Sequence, residues 1–218
     1  MKLIDLSVPL DNEVLADPPN SRPSIKYLGH KETFARLEPH FPGLNLKDMP
    51  DGEAWAIEKV SLTTHHGTHL DAPWHFHSTS NHAVKEGGER SRTIDEVPLD
   101  WCFRPGIKLD FRKFPDGQVV TVNEVKEELV RIKYQIEAYD IVVINTSAGK
   151  KYGQKDYVSS GIGMSREATL WLIEQGVRIT GTDAWSWDAP FVHTAKKVES
   201  TGDKSLVWEG HKAGRERE

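Results

Sequence analysis

A single cysteine, Cys102, in a chain of 218 residues rules out an internal disulfide framework and fits a reducing compartment. No nucleophile pattern surrounds it, so it reads as a packed thiol. Long apolar runs are missing too, and nothing approaches the ~20 residues of a membrane span. The opening M-K-L-I-D-L-S reaches an Asp before any leader-like run develops. The expected location is the cytoplasm. Excess positive charge is also lacking. A net charge of −5 gives no electrostatic reason to expect nucleic acid or an anionic membrane as partner. The glycines of S-A-G-K-K-Y-G-Q at 147–154 lack the spacing of a phosphate-binding loop. What remains, 37% hydrophobic and 28% charged residues, is the composition of a globular protein of one-domain size.

Histidine, by contrast, is plentiful, with ten in all. The stretch from His65 to His75 reads H-H-G-T-H-L-D-A-P-W-H. On a continuous helix His65 and His69 would share a face, but Asp71 would point away from both. Gly67 and Pro73 also oppose an unbroken helix. The expectation is a turn, entered from a strand over 55–64, that folds His65, His69 and Asp71 around one divalent ion. Imidazole and carboxylate donors suit zinc or manganese alike. Three protein ligands leave positions open for water and substrate, as in a catalytic rather than a structural site. His75, four residues beyond Asp71 and past the stiffening Pro73, is the candidate acid/base residue beside the ion, because imidazole titrates near ~6.5. His66 is not expected to bind the ion. Thr68 is expected to orient a ligand or the turn through its hydroxyl.

The rest of the chain supplies a frame. Residues 2–8 alternate loosely and are expected to form a first strand. From Pro9 to about Pro50 a long Pro-rich arm follows, with Phe34, Phe41 and Leu44 as residues that would dock it. A strand is expected over 106–111, and a helix opening at 121–123 with Val125, Leu129 and Ile132 on one face. I-V-V-I-N-T at 141–146 has the length of a buried strand. Ser165 caps a second helix that Gly176 stops, and V-R-I-T-G-T-D returns as a strand. Helix then strand, twice over, predicts an α/β fold in a single domain over 1–218, a mixed β-sheet core with flanking helices. The loop G-T-D-A-W-S-W-D-A-P-F at 181–191 begins where a strand ends, a common place for ligand loops. Trp74, Asp183 and Trp185 are the candidate substrate-contacting residues, and core tryptophans with turn-capping aspartates are the alternative.

The H-x-G-T-H-x-D-x-P-x-H pattern at 65–75 resembles that of the cyclase family of metal-dependent hydrolases, which includes kynurenine formamidases and isatin hydrolases. Weaker similarity runs from I-D-L-S near the N-terminus through the 181–191 loop to the end, so the resemblance covers nearly the whole chain. The resemblance implies a swivelling β/β/α-like fold, an N-terminal arm that borders the cleft, a homodimer or homotetramer, and His75 as the acid/base residue. It also implies that His211, in V-W-E-G-H, is a further metal-site residue, with one or two ions bound. The family pattern has a Glu or Gln twelve residues after that His, which lies past Glu218. A domain cut short at its C-terminal side, or a site completed differently, is therefore expected. The implied activity is hydrolysis of a C–N amide bond in a small, aromatic or cyclic compound by metal-activated water, isatin-hydrolase-like in its long arm. Kynurenine formamidase is the alternative, and a metal-dependent lyase, a true cyclase or a non-enzymatic metal-binding protein stands behind it.

Overall fold

The structure, a computed structural model, describes residues 3–218. Its contacts divide the chain into two compact units, one of Pro18–His69 with the residues up to Val14, the other of Leu15–Asp17 with Leu70–Glu218.

In the first unit, β1 (Ser24–Leu28) pairs antiparallel with β2 (Ile57–Ser61), Ser24 opposite Ser61 and Leu28 opposite Ile57. Between them lies one helix, α1 (His30–Leu37), with the Gly29 N–H donating to Glu32 Oε2 at 2.6 Å at its start. The Pro-rich arm thus carries a strand, a helix and several single turns of 3-10 helix. Thr33 is fully buried, and its hydroxyl donates to the Trp55 carbonyl. The strand expected at the N-terminus is corrected: residues 3–8 form none, and Lys2 lies outside the described residues. A side chain replaces the ladder there, because the Thr68 hydroxyl donates to Leu6 O (3.3 Å) and accepts from Val8 N–H (3.0 Å).

The second unit holds the core. After the short helix α2 (Pro73–Phe76) come the paired two-residue strands β3 (Thr79–Ser80) and β4 (Glu89–Arg90), then β5 (Gly106–Asp110) and β6 (Val119–Val120). Next follow α3 (Val122–Ile132), β7 (Ile141–Asn145), β8 (Gly163–Met164), α4 (Arg166–Glu174) and β9 (Ile179–Thr182). Last come α5 (Phe191–Thr201) and α6 (Glu209–Glu216). A parallel sheet in the order β5-β7-β9 sets Ile107 beside Val142, and Val142 beside Thr180. Parallel strands need a crossover, which α3 and α4 provide. In β7 only alternate residues are fully buried, Val142 (0%) and Ile144 (2%), so one face carries the core against Val125 and Leu129 of α3 and Leu172 of α4. Both helix starts are as expected from their caps. Thr121 Oγ1 accepts from Glu124 N–H while Glu124 returns a bond to Thr121 N–H, and Ser165 Oγ accepts from Ala168 N–H. The mixed α/β class expected of the chain is the observed one. Cys102 is exposed rather than packed, because it follows a single 3-10 turn at the surface. Among the described residues no helix is long and apolar enough to cross a membrane.

Candidate metal centre and its histidine neighbours

The motif begins four residues past the end of β2. Gly67 adopts φ +64°, and a Cβ on it would come within 2.8 Å of Leu10 Cδ2, so the turn calls for glycine. His66 holds the turn from inside. It is buried, its Nδ1 accepts from Thr63 N–H at 3.0 Å, and its Nε2 bonds the Ser21 carbonyl. His66 is buried while His65 and His69 are both exposed. Their rings meet edge to face at 5.2 Å. One donor atom from each of His65, His69 and Asp71 lies within 4.8 Å of the other two. His69 Nδ1 stands 2.9 Å from the Gly67 carbonyl, which can only accept, so Nδ1 carries the hydrogen and Nε2 is left as the ligand atom. Two imidazoles and a carboxylate, brought together in seven residues, fit a divalent ion.

Pro73 then starts α2, which carries Trp74 and His75. Trp74 is half exposed, and its backbone N–H donates to Arg92 O at 2.9 Å. His75 faces a cluster formed at the start of α6. Its ring lies 5.7 Å from that of His211 and 6.2 Å from that of Trp208, while Phe76 lies 5.6 Å from His211. Trp208 stacks on His211 with centroids 4.9 Å apart and planes 15° apart. His211 is outside the trio of candidate ligands and stands instead beside His75.

Asp188, for which the sequence offered pocket lining or turn capping, is buried behind this cluster. It accepts from Gly210 N–H (2.7 Å), His211 N–H (3.2 Å) and the His211 ring through Nδ1. The only sequence sign of it was a second Asp in the 181–191 loop. Glu209 next to this pair is held above the usual carboxyl range, first by burial and further by the Asp188 charge, with the Arg166 N–H opposing.

The other loop residues are engaged elsewhere. Asp183 ties the ends of β7 and β9 together, accepting from Asn145 Nδ2 (2.5 Å) and Thr146 N–H (2.7 Å). Trp185 donates Nε1–H to Asp17 at 3.2 Å and meets Phe191 edge to face at 5.5 Å. Trp187 packs on the core and donates to the Thr169 hydroxyl at 2.9 Å. The structure thus gathers His65, His69 and Asp71 in one group and His75 with His211 in another, while Trp74, Asp183 and Trp185 each have separate neighbours.

With this geometry in hand, the relatives can be compared. The model of the Cyclase family matches residues 4–189, and the chain belongs to that family. It is 27% identical over 150 residues to Cyclase-like protein 3 of Arabidopsis thaliana, an alignment covering 66% of this chain and 51% of that protein. The chain therefore spans about half the length of that curated relative. An isatin hydrolase bound to the product analogue thioisatinate superposes with a TM-score of 0.68 at 18% identity, over 98% of this chain and 76% of that one. Isatin hydrolase A from Labrenzia aggregata, bound to benzyl benzoate, gives 0.65 at 21% identity, over 98% and 77%. These likenesses establish a shared fold.

Proposed function

We propose that the chain is a metal-dependent hydrolase that opens a C–N amide bond, in a cyclic amide such as isatin or in a linear arylformamide, of a small aromatic compound. The observation that carries this reading is the convergence of His65, His69 and Asp71 donor atoms within 4.8 Å of one another. These three residues would hold zinc or manganese, and a divalent ion bound there supplies Lewis acidity to a carbonyl oxygen and makes water a stronger nucleophile. The chain's own residues do the rest. The Gly67 carbonyl holds His69 in the tautomer with Nε2 available. His75 carries the proton to the leaving nitrogen, a transfer that a positioned imidazole typically accelerates by ~10²–10⁴-fold. His211 and Trp208 wall one side of His75 and limit the orientations of its ring.

Three donors, with no fourth in the group among the described residues, favour a catalytic ion over a structural one. We also propose a homodimer or homotetramer, supported by a first unit that buries none of its described apolar side chains. The test is a panel of isatins, cyclic imides and N-formyl-arylamines assayed with added zinc or manganese. The expected result is hydrolysis of at least one class, reduced about 10²-fold or more in His75→Ala. Incorporation of oxygen from labelled water separates hydrolysis from a lyase or cyclase reaction. Wild-type protein that retains the metal and hydrolyses none of them overturns the reading.

A further inference from the structure

We propose that Asp188 is a positioning residue that fixes His211 as the Nδ1–H tautomer and leaves Nε2 as a lone-pair acceptor beside His75. A carboxylate accepts hydrogen bonds and donates none, so the hydrogen in the Asp188–His211 bond sits on Nδ1. Neutral imidazole has a single N–H, and the other ring nitrogen is then necessarily a base. Both residues are nearly excluded from water, His211 at 8% and Asp188 at 4% exposure, so solvent does not compete for the bond.

The surroundings make the arrangement rigid. Trp208 begins α6 from a left-handed backbone conformation (φ 59°) and lies flat on the His211 ring. A Cβ at Gly210 would come within 2.8 Å of Met164 O and 2.9 Å of Trp187 Cδ1, so glycine lets the start of α6 approach Asp188 this closely. A half-turn of the ring would put Cδ2 in the place of Nδ1 and lose the Asp188 bond. His75, 5.7 Å away, therefore faces a neighbour whose acceptor nitrogen is set in advance.

A plainer role for Asp188 is to cap α6, since it accepts the N–H groups of Gly210 and His211 in the first turn. The two roles differ in what asparagine does. Asn is as good a cap as Asp, but its single oxygen serves the backbone and its amide then offers a hydrogen to Nδ1, which forces the opposite tautomer.

The experiment is ring ¹⁵N–¹H correlation spectroscopy of metal-free protein at about pH 8, where an ordinary imidazole is neutral, with the His211 signals assigned from His211→Gln. Wild type is expected to show Nδ1–H, and Asp188→Asn to show Nε2–H. On whichever panel compound is turned over, Asp188→Asn is expected to lower kcat by about 10²–10⁴-fold with KM within about threefold, and Asp188→Glu to recover part of the loss. A wild-type His211 found as Nε2–H overturns the proposal, as does an Asp188→Asn variant with unchanged tautomer and kcat. Should Asp188→Asn fail to fold, the wild-type spectrum decides alone. Only the kinetic arm rests on the hydrolase reading: inactivity on the whole panel would remove that reading and leave the tautomer measurement to stand.

Discussion

Each of the two units of the chain is stabilised internally by a different kind of contact. The first is a two-stranded ribbon with a helix, and its tight internal contacts are polar: the buried His66 on Thr63 and Ser21, the Thr33 hydroxyl on Trp55, and the Thr68 hydroxyl on Leu6 and Val8. Apolar residues such as Tyr27 and Val60 stay more than half exposed. The second unit closes a parallel sheet under two capped helices around Leu109, Val142 and Leu172, none of which sees water. Where function sits on a hydrogen-bonded frame and stability sits in a packed one, the two properties should separate under mutation.

Replacing His65 or His69 with Ala sharpens that contrast most. Bound metal is expected to fall below one half per chain, measured by elemental analysis. On the proposed reading, amide hydrolysis should drop by on the order of a thousandfold, the several kcal/mol of barrier that an ion supplies. Unfolding free energy should change by less than ~1 kcal/mol, because both rings are exposed and off the core. A variant whose melting collapses in step with its metal would break the contrast and make the ion structural.

The converse comes from Leu109→Ala or Leu172→Ala. Each empties a fully buried site and should cost about 2–5 kcal/mol in denaturant unfolding. Metal affinity of the folded fraction should stay within twofold. An equal loss of metal would mean that the core and the turn are one cooperative system.

The smallest effect is expected from Glu128 in α3. Its hydrogen bonds from Arg131, at 2.6 Å each, hold its carboxyl below the ordinary 4.5, with the Asp110 N–H adding and burial opposing. A depressed folded-state pKa stabilises the protein above the unfolded value, and the contribution disappears as pH falls from 4.5 through the folded value. Because Arg131 is largely exposed, on the order of 1 kcal/mol is at stake. Glu128→Gln should therefore flatten the acid side of the stability profile by that amount. An unaltered slope would mean that Arg131 pairs with Glu128 no better than water does.

Much of this was legible in the chain because the signals were short-range. Thr121, Ser165 and Gly176 announce helix ends through bonds spanning only a few residues, β7 falls on an apolar run, and β5 and β9 fall within segments expected as strands. The candidate ligand trio, whose donor atoms do converge, spans seven residues and needs a single turn to form. What escaped depends on distance or lacks a pattern. Residues 3–8 alternate like a strand but are held by the Thr68 hydroxyl, 60 positions from Val8. Helix α1 buries Thr33 alone, so it shows no apolar periodicity. Asp183 reaches across to Asn145 and Thr146, a partnership that only the parallel pairing of β7 with β9 creates. Asp188 and His211 are 23 positions apart, and neither residue type at that separation carries a recognisable signature.

The compactness of the ligand trio along the chain has a kinetic consequence. Closing a ring from His65 to Asp71 ties up so little chain that the entropy lost is small, and flexible segments of about this length close on a sub-microsecond scale. If these residues hold an ion as proposed, a growing polypeptide could load it as soon as this short stretch is free to bend, well before β5, β7 and β9 have been synthesised and aligned. On that reading the site would be charged before the fold around it is finished.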